Sequence, residues 1–85
     1  MNKMIKAIEI LEKYLMEILR DKEGFIDVNP PLPIKVIEGY SITSIIEKKE
    51  VIELKVEFRC TRVVSRSTKF YYLKKGNIIN KDLEG

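Results

Sequence analysis

From Ile52 to Cys60 apolar and polar residues alternate without interruption: Ile52, Leu54, Val56, Phe58 and Cys60 on one parity, Glu53, Lys55, Glu57 and Arg59 on the other. Successive side chains of a β-strand point to opposite faces, so this segment reads as a strand with one buried and one solvated face. Such a strand belongs to an antiparallel sheet, because parallel sheets are covered on both faces and read as continuous apolar runs. It sets two requirements for the rest of the chain: neighbouring strands to satisfy its backbone, and an apolar layer to cover its inner face.

The N-terminal segment supplies that layer. Between Lys3 and Lys22 the residues Met4, Ile8, Leu11, Leu15 and Ile18 recur at spacings of four and three, which places them on one face of a helix. Ile5, Ala7, Ile10, Tyr14, Met16 and Leu19 widen that face and leave a narrow polar stripe of Lys6, Glu9, Lys13, Glu17 and Arg20. The sequence predicts a helix over 3–22, capped by Asn2 and ended by Gly24 in the left-handed conformation.

Asn29-Pro30-Pro31-Leu32-Pro33 lacks the backbone donors of a helix or a central strand, so 29–33 is expected to be a stiff linker. Beyond it Ile34, Val36, Tyr40, Ile42 and Ile46 share a parity that Ile37 and Ile45 break, which predicts a long strand bulged near Gly39. Turns are expected over Glu47–Glu50, Ser65–Ser67 and Lys74–Asn77, with a third strand over Thr68–Leu73 and a short fourth at Ile78 and Ile79. On this reading residues 34–79 form the sheet and 80–85 a frayed tail.

Eighty-five residues support one core, since a chain of this size buries only about 60–65% of its unfolded surface. The expected fold is a single α+β domain, 1–85, in which an N-terminal amphipathic helix packs on a curved antiparallel β-meander of three to four strands. This element order is similar to that of cystatin-like and NTF2-like domains, where a helix lies in the concave side of a curved sheet. The resemblance implies a fold and no function, because many unrelated proteins share the order.

Charge is unevenly distributed. The stretch from Phe58 to Lys81 holds seven of the sixteen basic residues and no acid, although the whole chain carries a net charge of only +3. Cations displace counterions from phosphates, and aromatic rings give single-stranded bases a surface on which to stack. Arg59, Arg62, Arg66, Lys69, Lys74 and Lys75 are therefore candidate phosphate contacts and Tyr71 a candidate stacking residue. The helix gives a second candidate surface. Its apolar face is broader than a small sheet covers, which nominates Ile10, Tyr14 and Met16 as an interface.

Chemistry is less well provided for. Cys60 is the only cysteine and there is no histidine to activate it, and its parity matches Phe58 and Val56, the pattern of a small buried hydrophobe. Glu53 and Glu57 share a face, but Lys55 stands between them and Arg59 follows, the alternation of a solvated surface. No metal-ligand cluster or phosphate-binding glycine loop is present, so no cofactor and no metal are expected. Met1 to Leu11 is interrupted by Lys3, Lys6 and Glu9, unlike a signal peptide, and no segment approaches membrane-spanning length. The expectation is a cytoplasmic, non-enzymatic interaction domain, acting as a homodimer or as an accessory subunit with a protein partner. The alternative is a binder of single-stranded or duplex nucleic acid that uses segment 58–81.

Overall fold

A computed structural model describes residues 2–61 and 66–79. Helix α1 spans Lys3–Asp21, and Asn2 caps it as expected: its side-chain oxygen accepts from the Met4 amide at 2.8 Å, satisfying one of the donors that every helix start leaves open. The other end differs from expectation. The helix stops one residue early, and Lys22, with φ 66°, takes the left-handed position assigned to Gly24. Gly24 lies two residues further on, where its carbonyl accepts from the Ile34 amide at 2.9 Å.

The proline segment is also more structured than a linker. Strand β1, Phe25–Ile26, pairs antiparallel with strand β2, Leu32–Pro33, and a 3₁₀ turn over Ile34–Val36 follows. Pro33 is tolerated because a two-residue ribbon needs few donors and its edge is open. The main sheet consequently begins at Ile37, not at Ile34. Ile26 and Ile34 are both buried, so the ribbon and the turn close one end of the core.

Four strands then run as an antiparallel meander: β3 Ile37–Glu47, β4 Ile52–Cys60, β5 Arg66–Lys74 and β6 Asn77–Ile79, side by side in chain order. The expected irregularity near Gly39 is present between Ile37 and Gly39, and a second lies between Ile42 and Ser44. Each inserts one residue, Glu38 and Thr43, so Ile37, Ile42 and Ile45 all reach the helix side although their sequence parities differ. Lys75 and Gly76, with φ 52° and 81°, form the two-residue turn between β5 and β6, where both central residues must be left-handed. Arg66 and Ser67, read as part of a reversal, already belong to β5 opposite Arg59 and Phe58. The proposed frayed tail, 80–85, lies outside the described residues.

The core is the inner face of the sheet against one stripe of α1. Ala7, Leu11 and Leu15 of the helix meet Leu54, Val56 and Phe58 of β4, and these are among the least exposed residues of the chain. Strand β5 presents Tyr71 and Leu73 to this core. Phe70, whose parity suited the core if Tyr71 faced out, is instead 45% exposed on the outer face. The register explains the inversion: Tyr71 lies opposite Leu54 and Phe70 opposite Lys55, so the strict alternation of β4 dictates the faces of its neighbour. Cys60, at the end of β4 opposite Ile37, is half-buried rather than enclosed.

Candidate association and nucleic-acid surfaces

Strand parity divides the basic segment instead of gathering it. Arg59 is exposed on the outer face. Lys69 lies on the inner parity with Tyr71, where its Nζ donates to the Asp27 carbonyl at 3.1 Å and stands 5.5 Å from the centre of the Tyr71 ring. Lys74 ends β5 on the outer parity, 3.5 Å from a Glu50 carboxylate oxygen, and Lys75 occupies the following turn. Arg66 pairs with Arg59 in the backbone ladder, eight residues from Lys74, or roughly 26 Å along a strand rising 3.3 Å per residue. Arg62 lies outside the described residues. Arg59 and Lys74 therefore lie on one face of the sheet and Lys69 on the other.

Tyr71 does not fit the stacking role assigned to it. It is 4% exposed, and Tyr14 covers it edge-on with ring centroids 5.8 Å apart and planes at 70°. A base cannot reach that ring while the domain is folded. Burial, and then the neighbouring Tyr14, push the Tyr71 hydroxyl far above the ordinary tyrosine value. Burial and the Glu12 carboxylate also raise Tyr40.

A pH dependence follows with a definite sign. A group whose folded pKa lies above its unfolded value contributes stability that is complete below the unfolded pKa, about 10 for tyrosine, and is lost as pH rises through the folded one. Stability is thus expected to hold from neutral pH up to about pH 10 and then to fall. Tyr71→Phe should flatten that fall, and the tyrosinate absorbance of the wild type should show one group ionising only as the fold is lost. An alkaline limb of equal steepness in Tyr71→Phe would remove Tyr71 as its source.

The helix candidates fall into different environments. Ile10 is half-buried against the core, and Tyr14 is spent on Tyr71 although 40% of it remains exposed. Met16 is 67% exposed and Ile5 is 52% exposed. Helical geometry places Met16 and Ile5 on the flank bearing Glu12, which approaches Tyr40 of β3 closely enough to raise its pKa, whereas Ile10 and Tyr14 look toward the β5–β6 turn. Ile5 carries the same signal as Met16, an apolar residue beyond the width that the sheet covers.

Between α1, β1 and β5 lies a groove of about 530 Å³ walled by Tyr14, Ile18, Phe25 and Tyr71. Its cation, Lys69, donates to the main-chain carbonyl of Asp27. Among the described residues no group of three or more acidic or cysteine side chains converges as a metal site would require. No described helix is long and apolar enough to cross a membrane.

The outer face of the sheet holds residues that the sequence reading did not nominate. In register across the strands it carries Gly39 beside Arg59 and the rows Ser41–Glu57–Thr68, Ser44–Lys55–Phe70 and Ile46–Glu53–Tyr72. The acids in these rows are occupied: Glu53 lies 3.5 Å from Lys48 Nζ, and Glu57 is not free. Lys55 and Arg59 have no ion-pair partner among the described residues. Gly39 gives the Arg59 guanidinium room to lie across β3, since a Cβ at that position would collide with it. Only the pairing of β5 with β4 could have exposed Phe70 and Lys55 as neighbours. Comparisons with protein-family models, with curated proteins and with solved structures gave no match, so a functional reading rests on these surfaces alone.

Proposed function

We propose that this domain works by association and not by catalysis, as a homodimer or as an accessory subunit of a larger complex, and that the flank of α1 carrying Met16 makes the contact. The observation that carries the reading is Met16 itself, 67% exposed in mid-helix, with Glu12 four residues before it and Arg20 four residues after. A helix places i−4, i and i+4 on one face. An antiparallel two-fold contact centred on Met16 therefore sets Glu12 of each copy opposite Arg20 of the other, and methionine against methionine between them. That self-complementarity favours a second copy of this chain as the occupant, because an isologous contact requires one patch to match itself.

Sedimentation velocity across the micromolar range tests the proposal. The wild type is expected to dimerise, and Met16→Lys to give folded monomers whose melting temperature, unlike that of the wild type, does not rise with protein concentration. Arg20→Glu should weaken the dimer, while the exchange Glu12→Arg with Arg20→Glu should restore it. Tyr14→Lys should lower stability without reporting on association, since it removes a ring packed on Tyr71. A wild type that remains monomeric throughout, or a Met16→Lys protein that still dimerises, overturns the reading.

A further inference from the structure

We infer that the outer face of the sheet is a platform for single-stranded nucleic acid, with Phe70 as the stacking ring and Lys55 and Arg59 as the phosphate contacts. The surface is separate from the Met16 flank, so the inference stands independently of the association reading. Phe70 is a large aromatic held 45% exposed near the middle of a strand, flanked on its own face by Thr68 and Tyr72. A ring in that position leaves nearly half of its surface open to a planar ligand. Lys55 lies directly opposite it in the ladder, and Arg59 lies four residues along β4 on the same face.

Charge and shape choose between occupants. The acids of this face are engaged, whereas Lys55 and Arg59 have no ion-pair partner among the described residues, so the unspent charge is positive. A duplex hides its base faces within the stack and is read by elements that enter a groove. A sheet surface with an open ring suits unstacked bases, whose π-faces it can cover while cations follow the backbone. Gly39 contributes by leaving room for the Arg59 guanidinium to lie across β3, which extends the cationic surface over the strand on the far side of β4 from Phe70. This assignment moves the nucleic-acid surface away from Lys69 and Tyr71, which the fold commits to the inner side.

Fluorescence anisotropy with a labelled single-stranded oligonucleotide, the matching duplex and polyglutamate as an acidic competitor tests the inference. Single strands should bind in preference to duplex, with log affinity falling linearly against log salt. Phe70→Leu keeps the apolar bulk and removes the ring, and should weaken binding by roughly five- to a hundredfold while leaving the salt slope unchanged. Lys55→Ala and Arg59→Ala should each flatten the slope by about 0.7, the value for one phosphate contact on a single strand. Thermal melts of the three variants serve as the check on folding. Absent binding, equal affinity for duplex, competition by polyglutamate at equal charge, or a Phe70→Leu protein that binds as the wild type does would each overturn it.

Discussion

Phe58→Ala is expected to remove about 3–5 kcal/mol from the free energy of unfolding, the range for deleting a fully enclosed aromatic. Phe58 has no exposed surface and is the largest of the completely buried side chains. It stands on β4 between Tyr40 of β3 and Ser67 of β5, with strand backbone on both sides. Those ladders keep the walls apart, so the space left by the ring cannot collapse, and the cavity cost adds to the lost transfer free energy. A domain of this kind has only about 5–15 kcal/mol in total. The variant should unfold at a much lower urea concentration with an unchanged slope, and a loss below about 1 kcal/mol would show that the core is not organised around this ring.

The second large effect separates two residues that the helical pattern alone treats alike. Leu11→Ala should cost about 2–5 kcal/mol, whereas Met16→Ala should change the stability of the monomer by no more than about 0.5 kcal/mol. Neither is β-branched and both are good helix formers, so helix propensity contributes little to the difference. Burial supplies it: Leu11 is fully enclosed against the sheet, while Met16 is 67% exposed. Urea titrations at concentrations low enough to keep the chains monomeric would measure the contrast. Equal losses at the two sites would mean that Met16 is held by the core, and would remove the surface on which the dimer contact depends.

Local periodicity made the helix and β4 legible, because each has one dominant period and one face to bury. It was insufficient where two readings have equal composition. In β5 the sets Phe70, Tyr72, Lys74 and Lys69, Tyr71, Leu73 each contain two apolar residues and one lysine, so parity alone cannot choose the inner one. Non-local pairing with β4 decides, and with it the fate of Tyr71 and Phe70. The same limit affects Gly24 and Lys22. Left-handed geometry favours glycine, yet the chain places it on Lys22, and Gly24 is not among the positive-φ residues. Met16 was legible as a margin of the helix, whereas Tyr14 was not, since its partner Tyr71 lies fifty-seven residues away.

The two inserted residues of β3 bear on more than its parity. From Gly39 to Ile46 this outermost strand is uncharged and rich in isoleucine, the composition of a template on which further strands accumulate. The inserted Thr43 interrupts it and Glu38 stands just before it, so an incoming strand can follow the ladder for only a few residues before the spacing fails. Copying along the edge has no uninterrupted line to propagate. The edge is thereby blunted against open-ended growth through its backbone.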